Sequence, residues 1–316
     1  MKRSSSLLVC IMLVATMVLS GCGTTEKSEN AESTESAENT ATQENKPVFK
    51  IGAIPDQDTS ELEKGNNAVA TYLSEYLGLE VEFVPTTNYT ALVKAFERGE
   101  IQCAWFGGLT SVQAMAIVPE AELIIQRPVD QAFESVFIKN IESDVNTLED
   151  LKGSSFTFGS ESSTSGHLMP RHFMQEAGII PEEDLSGNPN YSGSHDTTYK
   201  LVEAGTYEAG ALNFTVWNKA VSEGSVDTNK VEVFYTTPQY YDYAWILNAP
   251  EFVDDIYGEG TGEKVTEAFE SMNDSEDENA VTALAFYQTD KWIKGDAEGY
   301  KDLEEVAKQL GMLIVE

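Results

Sequence analysis

From Val48 onward the chain alternates between short apolar runs and longer stretches whose apolar residues fall three or four apart. Val48-Phe49-Lys50-Ile51-Gly52 reads as a strand running into the polar loop Pro55-Asp56-Gln57-Asp58. Residues 62–77 carry Val69, Tyr72, Leu73, Tyr76 and Leu77 at helical spacing and are closed by Gly78. Residues 79–84 alternate as a strand, 89–98 are helical, and 101–106 are a strand again. The rhythm restarts at Leu148, with strands over 155–158 and 209–212 and helices over 165–177 and 196–203. Repeated β-α-β units predict parallel strands with covering helices. An α/β chain of two lobes follows, with residues 48–137 and 244–316 as lobe 1 and 138–243 as lobe 2. The chain would cross between lobes near 135–138 and again near 240–247. Helices around 263–272, 279–289 and 303–309 would pack back on lobe 1. Two lobes joined by two crossings can close over a small ligand.

The N-terminus changes the picture. Lys2 and Arg3 precede an apolar stretch over 7–19, broken only by Thr16 and too short to span a bilayer. This is the pattern of a signal peptide, residues 1–21. It ends in Leu19-Ser20-Gly21-Cys22, a bacterial lipobox, so Cys22 is expected to be lipidated and to hold the protein on the outer face of the cytoplasmic membrane. Residues 22–47 are rich in Glu, Ser, Thr and Asn and lack aromatics, which predicts a disordered tether.

Charge and cysteine content remove several functions. Twenty Lys and Arg against 53 Asp and Glu leave a formal charge of −33, with no basic run for nucleic acid or an anionic membrane surface. Three cysteines without a Cys-x-x-Cys pair suit neither a disulfide scaffold nor a cysteine-rich zinc site. Cys103 lies on one strand face with Ile101 and Trp105, as a buried structural thiol would. His167 and His172 are five apart and fall on different sides of a helix, so they make no metal pair.

The most informative run is Gly159-Ser160-Glu161-Ser162-Ser163-Thr164-Ser165-Gly166, directly after a predicted strand and opening a predicted helix. Clustered hydroxyls beside the unpaired amides of a helix start form an anion cradle. Ser192-Gly193-Ser194-His195-Asp196 resembles a hydrolase triad only in composition. Adjacent residues do not form the in-line bonds a triad needs, and no Gly-x-Ser-x-Gly elbow is present. Ser194 and His195 read better as a second helix start facing the cleft. Gly107-Gly108 could let backbone amides approach a ligand. Asp242 stands inside the aromatic run Tyr240-Tyr241-Asp242-Tyr243-Ala244-Trp245, where a carboxylate needs a partner.

Phe49-Lys50-Ile51-Gly52, Ala104-Trp105-Phe106-Gly107, Ser163-Thr164-Ser165-Gly166, Ser192-Gly193-Ser194-His195-Asp196 and Ala209-Gly210-Ala211 together resemble the phosphate/phosphite/phosphonate-type substrate-binding proteins of ABC importers. The resemblance covers nearly all of residues 48–310. It implies a type II periplasmic-binding-protein fold that clamps a tetrahedral oxyanion and delivers it to a permease and ATPase, as a monomer, without chemistry, cofactor or metal. It also implies a ligand set of Tyr89, Ser163, Thr164, Ser165 with their amides, His195 and Asp242. The chain departs from the family pattern at Gly108 and Ser111, where Pro and Tyr are usual. Phe106-Gly107-Gly108-Leu109-Thr110 and Tyr240-Tyr241-Asp242-Tyr243 resemble a branch assigned to selenate. An oxyanion without a proton, such as selenate or sulfate, suits a site of donors only, among them a protonated His195. An ionised Asp242 favours a ligand that brings a proton.

Overall fold

The computed structural model describes residues 47–314; the signal peptide, Cys22 and all of the tether but Pro47 lie outside the described residues. In chain order the strands are β1 (Phe49–Ala53), β2 (Val81–Phe83), β3 (Cys103–Phe106), β4 (Glu122–Gln126), β5 (Ser135–Asn140), β6 (Phe156–Phe158), β7 (Asn190–Tyr191), β8 (Ala209–Asn213), β9 (Val231–Thr236), β10 (Ala244–Leu247) and β11 (Ile293–Lys294). They form two sheets, ordered β11-β4-β10-β3-β1-β2 and β7-β6-β8-β5-β9.

The two sheets share one plan. β1 pairs in parallel with β2 and β3, and β6 pairs in parallel with β7 and β8. An antiparallel strand then separates the third strand from the fourth: β10 between β3 and β4, β5 between β8 and β9. The rhythm of the sequence predicts parallel strands, and these two differ for a topological reason. Each inserted strand has just arrived from the other sheet, so it runs against its neighbours.

Residues 135–138, expected as the first crossing, open β5 within the second sheet; the chain passes between the sheets over residues 127–134 and 237–243. The two passages run side by side, since Phe133 and Tyr240 exchange backbone hydrogen bonds of 2.8 and 2.9 Å. Arg127 anchors the first passage. It donates to Asp130 from Nη2 (2.6 Å), Nε (2.8 Å) and its backbone amide (3.0 Å), and from Nη1 to the Tyr287 carbonyl. Its guanidinium lies 5.3 Å from the Trp105 ring centre and 5.2 Å from that of Tyr243, so aromatic faces solvate the charge that water cannot reach.

Packing follows the strand period. In β5, Phe137 joins Phe156, Phe158 and Met174 on one face of the second sheet, while Val136 and Ile138 join Tyr199, Leu212 and Trp217 on the other. The first sheet builds the larger core around Ile51, Phe106, Trp105 and Trp245, which the helices Thr59–Leu77 and Thr261–Ser271 help to cover. Asp58 caps the former helix by accepting the Ser60 amide, and Gly78 ends it in the left-handed region at φ 63°.

Candidate functional site

Three segments meet where the sheets face each other: the start of the helix Gly108–Ile117, the turn Thr164–Leu168, and the second passage at residues 240–243. The Gly108 amide donates to Asp242 Oδ1 at 2.7 Å, and the Leu109 amide donates to Thr164 Oγ1 at 2.8 Å. The helix start of the first sheet is therefore bound by groups from the hinge and from the second sheet.

Thr164–Leu168 is a π-helical turn that leads into the helix Met169–Glu176. Ser163 caps it. Its hydroxyl accepts the Gly166 amide at 2.9 Å and its carbonyl accepts the Leu168 amide at 2.9 Å. Gly166 approaches the neighbouring chain so closely that a Cβ there would lie 3.1 Å from Gly159 Cα and 3.2 Å from His195 Cε1. Tyr89 enters from the first lobe at the start of the helix Tyr89–Glu97, which Asn88 caps.

The six residues singled out from the sequence lie in this buried region: Tyr89, Ser163, Thr164, Ser165, His195 and Asp242. The Tyr89 hydroxyl, Ser165 Oγ and Asp242 Oδ2 have no hydrogen bond of ordinary geometry. Ser163 is nevertheless near enough to Tyr89, and Thr164 and Ser165 near enough to Asp242, to favour their ionised forms. An unsatisfied buried polar group costs about 1–3 kcal/mol. Several of them in one place, beside the turn Thr164–Leu168, describe a site shaped for a polar guest. Burial pushes the Asp242 carboxyl up to about 7, against the opposing pull of the Gly108 amide and the Thr164 hydroxyl. Near neutral pH it therefore exchanges a proton readily.

His195 does not fill the role of a protonated donor. It is fully buried, and burial drives its pKa down to about 4, so the ring is neutral. Nδ1 accepts the Asn213 amide at 3.3 Å, which leaves the ring proton on Nε2, 3.2 Å from the Tyr243 hydroxyl. Neither nitrogen meets a serine, so His195 is not placed as the base of a Ser-His pair. The helix His195–Glu203 is not an open anion cradle either. Its first amide donates to the Asp56 carbonyl of the opposite lobe at 2.9 Å, and Ser194 Oγ donates to Asp196 Oδ1 at 2.6 Å. Of the two helix starts expected at the ligand, that of Ser163–Ser165 is the one with an unpartnered buried hydroxyl, Ser165 Oγ.

The other candidates are structural. His167 donates from Nδ1 to the Glu161 carbonyl at 2.6 Å and accepts Arg171 Nε at 2.8 Å. His172 faces Glu176 at 3.6 Å, and among the described residues no group of His, Cys, Asp and Glu could hold a metal. Cys103 is buried, and burial pushes its thiol well up. Sequence reasoning missed Asp56, Arg127, Asn213 and the hydroxyl of Tyr243. Arg127 offered one signal, an isolated basic residue at a strand end in a chain poor in cations.

Residues 51–300 match the family model for periplasmic phosphonate substrate-binding proteins of ABC transporters. The chain is 35% identical over 275 residues to a probable phosphite-binding protein, PhnD1, of Prochlorococcus marinus, covering 85% of this chain and 92% of that one. It is 23% identical over 262 residues to the phosphate-import protein PhnD of Mycolicibacterium smegmatis, covering 78% and 77%. Among solved structures, Prochlorococcus PhnD1 in complex with methylphosphonate superposes with a TM-score of 0.80 at 36% identity, covering 84% of this chain and 98% of that one. The chain belongs to the periplasmic phosphonate substrate-binding proteins of ABC transporters.

Proposed function

We propose that the protein captures a small tetrahedral oxyanion of the phosphite or phosphonate type between its two lobes and delivers it to an ABC permease. The supporting observation is the cluster of unpartnered Tyr89, Ser165 and Asp242 atoms beside the turn Thr164–Leu168. Donors from Ser163–Ser165 and Tyr89 meet the oxygens of the anion, and Asp242 takes up a proton that the ligand carries. Relatives named for phosphite and phosphate, and one solved with methylphosphonate, support the same ligand class. Thermal shift with phosphite, methylphosphonate, phosphate, sulfate and selenate tests it. Phosphite or methylphosphonate is expected to raise the melting temperature most; stabilisation by sulfate or selenate alone would overturn it.

The lipid anchor is a second part of the proposal, carried by Leu19-Ser20-Gly21-Cys22. Cys22→Ser is expected to move the protein from the membrane fraction to the soluble one, with phosphite affinity unchanged. Fractionation followed by titration of the released protein checks both halves.

A further inference from the structure

Asp56 is a buried carboxylate that the oxyanion reading does not use. It is only 4% exposed and lies in the loop after β1, on the surface that meets the second lobe. Its carbonyl receives the His195 amide, so the residue is part of the contact that closes the lobes. The residue lines a cavity of about 20 Å³ together with Arg127, Trp105, Asn213 and Tyr243, which leaves space for about one water molecule. Tyr243 links it to the site. The hydroxyl accepts from Asn213 Nδ2 at 2.9 Å and from His195 Nε2, and its own proton is directed to Asp56.

The charges around this contact do not balance. Asp56, Asp130 and Asp242 are buried together, and the nearby guanidinium of Arg127 is already shared with Asp130 through two side-chain bonds. His195 is neutral. A proton passed from the ligand to Asp242 leaves the total charge unchanged, so with all three carboxylates entering ionised a bound oxyanion would still add a negative centre beside a single cation in a dry site. We propose that Asp56 is a second acid of the site, holding a proton while an oxyanion is bound, so that capture draws a proton from solvent and favours ligands of low charge. The proposal rests on the oxyanion reading above.

The groups that face Asp56 agree with this. Burial raises its carboxyl to about 6, against the opposing pull of the Tyr243 hydroxyl and the Arg127 charge, while Asp196 adds a smaller push upward. Tyr89 and Tyr287 also feel its charge, and His195 meets it through the backbone. Close to neutral pH it is largely ionised without ligand, and the arriving anion is what brings the proton on.

Calorimetric titration of wild type and Asp56→Asn with phosphite between pH 6 and 8, in buffers of different ionisation enthalpy, reads this directly. Above about pH 6, wild-type affinity should fall by about tenfold per pH unit more than that of Asp56→Asn, with up to one more proton taken up on binding. Ionisation of phosphite itself is common to both proteins and cancels in the comparison. Equal slopes and equal proton uptake would overturn the proposal. A ligand-free arm separates it from the oxyanion reading. A carboxyl raised in the folded state binds extra protons between the usual carboxylate range and about 6, so stability falls as pH rises through that window. Asp56→Asn should therefore gain on wild type in unfolding midpoint between pH 4 and 7; a constant difference would overturn the proton-holding role. If neither phosphite nor methylphosphonate binds wild type, the oxyanion reading fails, and the ligand-free titration still decides Asp56. Should Asp56→Asn not fold, Tyr243→Phe removes the hydroxyl that favours the ionised carboxylate, and it should move the pH dependence of binding upward; an unmoved dependence counts against the proposal.

Discussion

Asp242→Asn is expected to weaken phosphite binding by roughly 10- to 150-fold and to let sulfate or selenate bind. The size follows from losing a charge-assisted hydrogen bond, about 1.5–3 kcal/mol. The direction follows from which oxygen is replaced. Asn can keep an oxygen where Oδ1 receives the Gly108 amide, so the helix Gly108–Ile117 stays capped. An NH₂ then stands where Oδ2 was, and an acceptor becomes a donor. A ligand that brings a proton loses the group that receives it, while an oxyanion without a proton gains a donor and escapes a like charge. Calorimetric titration of both proteins against phosphite and sulfate measures the exchange. Undiminished phosphite affinity in Asp242→Asn would place Asp242 outside the ligand contacts.

Arg127→Ala is expected to destabilise the fold by about 3–5 kcal/mol, because it leaves Asp130 buried with no counter-charge. Wild type holds that carboxylate with two guanidinium bonds and with backbone amides of residue 127 and Tyr243; the alanine variant keeps only neutral amides. The loss spreads along the hinge, since the Asp130 carbonyl accepts the Asp242 amide and the guanidinium lies over Trp105 and Tyr243. Arg127→Met combined with Asp130→Leu should recover most of the stability, as paired removal leaves no unpartnered charge. Urea unfolding of the single and double variants tests this. A double variant no more stable than Arg127→Ala would show that packing over the aromatic rings, not the charge pair, carries the effect.

Much of this was legible in the amino-acid pattern, and the failures have physical causes. Apolar spacing located helices such as Glu278–Phe286 and Lys301–Gln309 within a few residues, because each buries one face. The hydroxyl run at Ser163–Ser165 stood out because cap residues carry a local signal. Strand direction carries none. Ala244–Leu247 is buried throughout and reads as a plain apolar run, so its antiparallel insertion could not be anticipated. Asn190–Tyr191 is too short for any period. The protonation of His195 and Asp56 depends on burial by residues far away in the chain, which spacing does not report. A histidine beside a helix start looks like an anion donor until its surroundings are known; here Asn213 and Tyr243 hold both nitrogens.

The place of β10 in the first sheet also sets an order of assembly. The strands of the second sheet, β5 to β9, lie in one uninterrupted stretch of chain. The first sheet is different, because β3 and β4 pair with each other only through β10, which follows the whole of that stretch. A chain emerging N-terminus first therefore completes the later lobe while the earlier one still shows an unpaired edge on β3 and both edges of β4. Those edges are open at the stage when a newly exported chain is most prone to sticking, and pairing them requires closure over a long loop. Truncation between Thr236 and Ala244 would leave the second sheet with all its strands and the first in two pieces. Biogenesis of this protein thus depends on β10 and β11 arriving before the edges of β3 and β4 find another partner.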